Sequence, residues 1–440
     1  MLELKSAQLI HSKGLLVAFE YYPRLADAEL ATRLLRSGAV VIRGAKWCGK
    51  TETAKQQARS SIFLQDPDEY ANNLLAMQTK PSLLLQGERP RLIDEWQDFP
   101  QIWDAVRFAV DRQHKRGCFI LTGSISRELD KDEKPRHSGV GRISTMTMRP
   151  MSLLESKEST GTVSLKALFD GVCELDGIVR YDIEDVASQI CRGGWPEAVT
   201  LGDGPIGGIA RDYIEALAER DISLPDGVRR DPDLVRVLMA AYARCTATQA
   251  DGTTIRGHVH KARMDISRNT ASAYIASLRK LYVFEDLRAW KPSLRDKTRV
   301  TATPKRHFVD PSLAAAALGA TPEMLLQDLP TLGQLFESLA VRDLRIYAEA
   351  NGGTLLHYHD DAGREADAVV VMPDGRWALV EVKLGGGGVD EGAESLKALA
   401  AKIDQTVMGP PSFLLVISAT KFAVQRDDGV CVVPLACLGA

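Results

Sequence analysis

The chain has 440 residues, of which 45% are hydrophobic and 26% are charged, and its formal net charge is −3. That length exceeds what one hydrophobic core usually serves, and it predicts two or three domains of ordinary soluble composition. The near-neutral charge excludes a basic field over the whole protein, so any nucleic-acid surface has to be local.

Cysteine usage and hydropathy predict the compartment. The seven cysteines are scattered without a C-x-x-C pair, which argues against a disulfide framework and favours a reducing environment. No apolar run approaches the ~18 residues of a spanning helix, and the first residues lack the apolar stretch of a signal peptide. We therefore expect a cytoplasmic protein with no membrane partner.

The most informative motif follows a lead-in of 37 residues, predicted to be helical with a break at residues 21–24 (YYPR). Residues 44–51 read GAKWCGKT and match the phosphate-binding pattern G-x-x-x-x-G-K-[ST]. An apolar run over residues 38–43 predicts the strand before this loop, and residues 51–60 predict the helix after it. The alternative is a strand–turn–helix connection that matches the motif by chance.

The chemistry of the loop predicts ATP and Mg²⁺ as ligands. Glycines at both ends allow backbone N–H groups to approach phosphate oxygens. Lys50 would reach the β- and γ-phosphates, and the hydroxyl of Thr51 would bind Mg²⁺. The candidate nucleotide-binding residues are Gly44, Ala45, Lys46, Trp47, Cys48, Gly49, Lys50, Thr51 and Glu52.

Two carboxylates end the next apolar strand, at residues 91–95 (RLIDE). In phosphate-loop enzymes the first, here Asp94, holds Mg²⁺ through water, and the second, here Glu95, polarises the attacking water. The alternative is an acidic helix start, since carboxylates favour the first turn of a helix.

Two later segments carry weaker signals. An apolar strand over residues 118–124 ends in Thr122 and Ser124, either of which could sense the γ-phosphate or simply form a strand-end turn. The glycine-rich loop at residues 138–142 (SGVGR) presents Arg142. Arginine stabilises a phosphoryl group in transfer, although most loop arginines are only solvated.

The series GAKWCGKT, LIDEWQ, LTGS and GVGRI, followed by MRPMS, resembles a prokaryotic family of AAA+-like ATPases. Its members carry a C-terminal domain of unknown function with a nuclease-like core, and the resemblance covers nearly the whole chain. Where the family has Pro-Arg after the first glycine, this chain has Ala45-Lys46, so no role of that arginine carries over. The resemblance implies Lys50 and Thr51 as nucleotide and Mg²⁺ ligands, Asp94 and Glu95 as the Walker B pair, Thr122 or Ser124 as the sensor, and Arg142 as the arginine finger.

The middle of the chain is predicted to be helical. After an ATPase domain over residues 1–155, residues 156–230 form a lid-like element and residues 231–330 a winged helix. Helices over 233–248 and 266–281 precede two wing strands at 283–290 and 305–309. This order predicts a DNA-binding winged helix or one that packs against the ATPase domain. The residues expected near a DNA groove are Arg268, Ser272, Arg279, Lys280, Arg295, Lys297 and Arg299.

Residues 331–440 show an α-β-β-β-α-β order with carboxylates on the strands. Asp367 begins one strand, while Glu381 and Lys383 stand two apart on the next and share a face. Asp367 and Glu381 could bind Mg²⁺ beside Lys383, which could assist a metal-bound water in attacking a phosphodiester. Glu337 on the preceding helix is a candidate fourth member. The set resembles the PD-(D/E)xK nuclease core.

Two alternatives stay open for this C-terminal part. Glu381 and Lys383 could form a salt bridge, and the fold could be retained without cleavage. His357 and His359 share a strand face, and we interpret them as surface residues rather than zinc ligands because no further ligand spacing accompanies them.

The predicted fold class is α/β: an AAA+-like P-loop NTPase domain, a helical and winged-helix middle, and a C-terminal α/β nuclease-like domain. The first functional hypothesis is an ATP-hydrolysing enzyme that couples nucleotide state to DNA handling, with a metal-dependent nuclease site. The second is an ATP-dependent regulatory switch whose C-terminal domain is an inactive binding module. DNA and a protein are the candidate partners, and the sequence leaves the oligomeric state open.

Overall fold

The computed structural model describes residues 9–12, 15–18, 20–125, 138–172, 175, 177–201, 206–292 and 302–440. Two mixed α/β layers dominate it, one near each end of the chain, with helices between them. The N-terminal elements are β1 (Leu9–Ser12), β2 (Leu15–Ala18), α1 (Leu25–Arg36), β3 (Ala39–Arg43), α2 (Lys50–Gln57), β4 (Ser60–Phe63), α3 (Tyr70–Thr79), β5 (Arg91–Asp94), α4 (Ile102–Gln113), β6 (Phe119–Gly123) and β7 (Ile143–Thr147).

The N-terminal sheet is parallel, in the order β4-β5-β6-β3-β7. Its interior strand β3 is apolar from Ala39 to Ile42 because both faces are covered. Val40 and Ile42 pack into one core, and Ala39 and Val41 into another on the opposite face. The carboxyl ends of β3, β5 and β6 meet at one edge, where ligands of open α/β sheets bind.

The lead-in to this sheet differs from its predicted helix. Leu9–Ser12 and Leu15–Ala18 pair as antiparallel strands, so the helical prediction is wrong there, whereas α1 confirms the helix after Arg24. In sequence, two short apolar runs flank a Lys-Gly pair, which is a hairpin pattern. The helical prediction for residues 9–18 did not take this turn into account.

The middle of the chain is largely helical. Its elements are β8 (Val163–Ser164), α5 (Leu165–Phe169), β9 (Gly177–Ile178), α6 (Ile183–Arg192), α7 (Pro196–Thr200), α8 (Gly208–Glu219), α9 (Pro232–Ala243), α10 (Gly252–Lys261), α11 (Arg268–Lys280), α12 (Pro311–Ala317) and α13 (Pro322–Gln327). The side chain of Ser267 caps α11, as the sequence predicts.

Two extended segments follow α11 where wing strands are predicted. Single antiparallel bridges join Phe284 to Phe308 and Leu287 to Lys305. The residues between them that are predicted to reach DNA, Arg295, Lys297 and Arg299, lie outside the described residues. The winged helix therefore stays a prediction.

The C-terminal elements confirm the predicted α-β-β-β-α-β order. They are α14 (Leu329–Ala350), β10 (Thr354–His359), β11 (Glu365–Val371), β12 (Trp377–Lys383), α15 (Val389–Lys402), α16 (Gln405–Met408), β13 (Leu414–Ser418), β14 (Phe422–Gln425), β15 (Cys431–Pro434) and β16 (Leu438–Gly439). Their sheet has the order β10-β11-β12-β13-β15-β14-β9.

The last strand of this sheet, β9, comes from the segment predicted to be lid-like, and β8 pairs in parallel with β16. One side of each sheet also contributes to a single core: Ile42 and Ile120 belong to the same cluster as Val380 and Ile417. The predicted domain boundaries are thus crossed by both strand pairing and core packing. Among the described residues, no helix combines the length and apolar character that crossing a bilayer requires.

Candidate functional site

The phosphate loop follows β3 directly and depends on two glycines. Gly44 has φ 154°, and a Cβ there would lie 2.0 Å from the carbonyl oxygen of Met148. Gly49 has φ 99°, in the left-handed region that favours glycine, and it precedes the first turn of α2. Both ends of the loop therefore require glycine, and the N–H groups at the start of α2 point toward the loop as an anion site requires.

The ammonium of Lys50 lies inside the loop, with the residue only 5% exposed. It donates to the carbonyl oxygens of Ala45, at 2.7 Å, and Gly44, at 3.1 Å. Phosphate oxygens are stronger partners for an ammonium than neutral carbonyls. Lys50 is thus held where it can exchange these contacts for a nucleotide.

Three oxygen-bearing side chains converge beside the loop. Asp94 Oδ1 accepts from the hydroxyl of Thr51 at 2.8 Å and from that of Thr122 at 2.5 Å. A hydroxyl and a carboxylate in contact at a phosphate site form a donor set that Mg²⁺ prefers. Thr51 and Asp94 would hold that ion, and its charge would neutralise the phosphate oxygens.

Glu95 lies next to this cluster in a left-handed backbone conformation, with φ 53°. Its Oε2 accepts from Ser124 Oγ at 3.3 Å and from the amide of Gln97. Strained backbone of this kind is often retained at functional sites. Thr122 therefore contacts the first carboxylate of the pair, and Ser124 contacts the second.

Gln97 is a site residue that sequence reasoning missed. Room for it exists because residue 123 is glycine: a Cβ there would lie 2.6 Å from Gln97 Oε1. A polar residue two positions after Glu95 was the only signal in the sequence.

The middle of the loop contacts the helical region. Lys46 Nζ lies 2.8 Å from Asp221 Oδ1, and the ring of Trp47 meets that of Tyr213 edge-on, with centroids 5.7 Å apart. Ala45 and Cys48 are buried. Glu52 pairs with Lys55 at 2.7 Å, on the outer side of α2.

Arg142 lies at the other end of the sheet. Its carbonyl accepts from the N–H of Ala39 at the start of β3, about 13 Å along the strand from the phosphate loop. Its guanidinium pairs with Asp111 at 2.6 Å and is half exposed. An arginine-finger role, which stays a prediction, would therefore require a second copy of the chain.

The four predicted residues of the C-terminal site lie together. Ala368 pairs with Val380, so the register continued by one residue places Asp367 opposite Glu381. Lys383 Nζ lies 3.1 Å from Glu381 Oε1, and the backbone N–H of Val382 donates to Asp367 Oδ2 at 2.9 Å. The predicted convergence on one face of the sheet is present.

An additional cation occupies this cluster. Lys305 Nζ lies 2.6 Å from Asp367 Oδ1 and 2.8 Å from Glu337 Oε1. Burial alone would lower the pKa of Lys305, but the charges of Asp367 and Glu337 outweigh burial and raise that pKa. Burial, and then the charge of Asp367, raise the pKa of Glu381 to about 8.

A divalent ion does not fit this arrangement as it stands. Within the described ranges, no group of three or more His, Cys, Asp or Glu side chains is disposed to hold a metal ion. The ammonium of Lys305 takes the contacts that metal ligation by Glu337 and Asp367 would need. The assignment of Glu337, Asp367 and Glu381 as metal ligands finds no support in this geometry.

His357 corrects a second prediction. It is only 1% exposed, so it is not a strand-surface residue. His357 follows the buried Leu355 by two positions and so lies on the same face of β10, and a bridge to Ala289 covers this part of the strand. Burial, and then the charge of Lys305, lower its pKa to about 4.

The residues predicted to face DNA differ in their exposure and in their ion pairing. Arg268 and Ser272 are exposed on α11, and Lys280 is partly buried there. Arg279 is instead paired with Asp286 at 2.6 Å.

Comparison with known proteins agrees with the N-terminal geometry. Residues 36–157 match the family described as an AAA domain. Those residues form an AAA-like P-loop ATPase domain, and ATP binding and hydrolysis are supported by this match. Residues 183–324 and 332–438 match two domains of unknown function, DUF8612 and DUF4143.

Two mycobacterial proteins and one solved structure are similar to a large part of the chain. Uncharacterized protein Mb2031c of Mycobacterium bovis and uncharacterized protein Rv2008c of Mycobacterium tuberculosis are each 25% identical over 372 residues, 82% of this chain and 73% of theirs. Among solved structures, the Walker-type ATPase PABY2304 of Pyrococcus abyssi is similar at 15% identity and a TM-score of 0.41, covering 68% of this chain and 96% of that one.

Lys50→Ala is expected to abolish ATP binding, because the loop then has no side-chain cation facing the phosphates. Isothermal titration calorimetry measures the affinity. Lys55→Ala is the matched control, since Lys55 lies on the same helix but pairs with Glu52. Unchanged ATP affinity in a folded Lys50→Ala protein would contradict the assignment of the loop.

Glu95→Gln is expected to keep ATP binding and to reduce turnover by ~10²–10⁴, the usual loss when a general base is removed. Phosphate release measures the rate, and Glu394→Gln, which neutralises an exposed carboxylate on α15, serves as control. Hydrolysis at the wild-type rate would show that Glu95 does not activate water.

Proposed function

We propose that this chain is an ATP-hydrolysing switch in which the nucleotide state of the phosphate loop controls the C-terminal α/β part, used as a binding module. The observation that carries the proposal is a buried chain of contacts from the loop to that part through Arg24 and Arg149. Each step is a charge-assisted hydrogen bond, which is strong and directional.

The hydrolytic step uses residues of the N-terminal edge. Lys50 binds the β- and γ-phosphates, and Thr51 and Asp94 would hold Mg²⁺, which would supply positive charge next to the phosphates. Glu95, oriented by Gln97 and Ser124, accepts the proton of the attacking water.

Arg24 is the first link out of the loop. Its guanidinium donates to the carbonyl of Cys48, inside the loop, at 2.9 Å and to the carbonyl of Arg149 at 2.8 Å. Glu155 neutralises it at 3.1 Å. A shift of the loop backbone on phosphate binding therefore acts directly on Arg149.

Arg149 is the second link. It is 6% exposed, and its guanidinium makes two hydrogen bonds to each of two carboxylates, all between 2.7 and 2.9 Å. Glu285 belongs to the middle region and Glu349 to α14, which packs on the C-terminal sheet. Arg149 thus joins three parts of the chain in one contact.

Glu349→Gln tests this link without leaving a buried charge unpaired, because Arg149 keeps both hydrogen bonds to Glu285. We expect hydrogen exchange in α14 to change when Mg-ATP binds the Glu95→Gln background, and this change to be lost after Glu349→Gln. The exchange change in α2 should persist, since ATP still binds.

Glu394→Gln, which removes an exposed charge from α15, is the control and should retain the response of α14. An ATP response of α14 that survives Glu349→Gln would contradict transmission through Arg149. Absence of any response in α2 would instead contradict nucleotide binding itself.

A second candidate function is DNA handling by the middle region. Lys261, Arg263 and Arg268 are exposed within eight positions of each other, around the start of α11. A cluster of cations at a helix N-terminus suits phosphate contacts. This cluster differs from the predicted one because Arg279 is already neutralised by Asp286.

Replacing these three residues by alanine is expected to weaken DNA binding and to reduce the log–log salt slope by roughly 0.9 per lost phosphate contact. Fluorescence anisotropy with labelled duplex at several salt concentrations measures both. The control variant replaces three other exposed basic residues by alanine, and so removes the same total charge: Arg112, Lys115 and Arg116. Equal affinity and slope in both triple variants would exclude this cluster as a DNA surface.

A further inference from the structure

The position of Lys305 is fixed by backbone hydrogen bonds. Its N–H donates to the carbonyl of Leu287 at 3.0 Å, and its carbonyl accepts from the N–H of Leu287 at 2.9 Å. The side chain then enters the C-terminal cluster and is only 4% exposed. The middle region thereby inserts one positive charge among the carboxylates of the C-terminal part.

Those carboxylates come from three elements that surround the ammonium. Glu337 reaches it from α14 at 2.8 Å, and Asp367 from β11 at 2.6 Å. Glu381 stands opposite Asp367 on β12. The second oxygen of Asp367 is fixed by the N–H of Val382, so the carboxylate is oriented independently of the lysine.

One oxygen of the cluster is left over. Glu381 is only 4% exposed, and its Oε2 has no hydrogen-bond partner among the described residues. A buried carboxylate oxygen without a partner is costly. Lys383 contacts only the other oxygen, at 3.1 Å. The cluster thus has coordinating capacity that two lysines do not use.

We propose that the ammonium of Lys305 occupies the position that a divalent cation bound to Glu337, Asp367 and Glu381 would take. The wild-type chain therefore binds no ion there, whereas a variant without this lysine does. The ligands are all carboxylate oxygens, which suits a hard ion such as Mg²⁺ or Mn²⁺. An ammonium–oxygen distance of 2.6 Å exceeds the ~2.1 Å of a Mg–oxygen bond. The carboxylates would close slightly around the smaller ion.

This assignment goes beyond the ATP-dependent switch and does not rest on it. It gives the C-terminal cluster a defined ligand within the same chain, the ammonium of the middle region. It also accounts for acidic residues of a nuclease-like set without requiring metal-dependent cleavage by the wild type.

The test is Mn²⁺ binding to the full-length chain without nucleotide, measured by calorimetry and by the electron paramagnetic resonance of free Mn²⁺. Lys305→Ala and Lys305→Gln are each expected to bind one additional ion relative to the wild type. The gain should disappear when Asp367→Asn is added. Because Thr51 and Asp94 are intact in every protein, weak binding at the phosphate loop cancels in the comparison.

Thermal unfolding provides a second test that also applies to variants of low stability. Mn²⁺ should raise the thermal midpoint of both Lys305 variants, because an ion that binds only the folded state stabilises it, and it should not raise that of the wild type. Two results would overturn the proposal. One is a wild type that binds Mn²⁺ and loses it on Asp367→Asn. The other is a pair of Lys305 variants that neither bind Mn²⁺ nor gain stability from it.

Discussion

Neutralisation of buried charge is the constraint on which the rest of the structure depends, and Arg149 shows it most clearly. Its guanidinium is removed from water and is neutralised by Glu285 and Glu349, which belong to two other parts of the chain. A buried charge is costly unless it is paired. The sheet that holds the phosphate loop, the middle region and α14 are therefore held together by one shared charge contact. Arg342, paired with both Asp310 and Asp343, repeats this arrangement deeper in the core.

The same segment is tied to the phosphate loop without a flexible spacer. Met148 donates its N–H to the carbonyl of Arg43 at 2.7 Å, and its own carbonyl faces Gly44 so closely that no side chain fits between them. Arg149 follows immediately. A close-packed contact of this kind transmits displacement because protein interiors have little free volume. The geometry of nucleotide binding and the pairing of buried charge thus meet at two successive residues.

Local signals allowed much of this structure to be predicted, and long-range pairing explains what was missed. The glycine spacing of residues 44–51 and the α-β-β-β-α-β order at the C-terminus follow from turn chemistry and periodicity, which a short window of sequence contains. The partners of Arg149 and Lys305 cannot be predicted from such local patterns. Arg149 and Glu349 are 200 positions apart, and Lys305 and Asp367 are 62 apart. Lys305 stands in sequence as one basic residue among several, so its burial could not be read from its neighbours. His357 forms a bridge with Ala289, a partner that lies 68 positions away and that no local pattern reveals.

The C-terminal carboxylates show why a set of residue types does not define a chemistry. A divalent ion brings two charges and is free to leave, whereas a lysine brings one charge and remains attached to the chain. With Lys305 and Lys383 facing three buried carboxylates, positive charge is in deficit, and both burial and Asp367 raise the pKa of Glu381 to about 8. Lys305 does more than fill space: it neutralises charge on Glu337 and Asp367 and joins the middle region to the C-terminal sheet. Residues that form a catalytic set in one protein can thus serve in another as a contact between parts of the same chain.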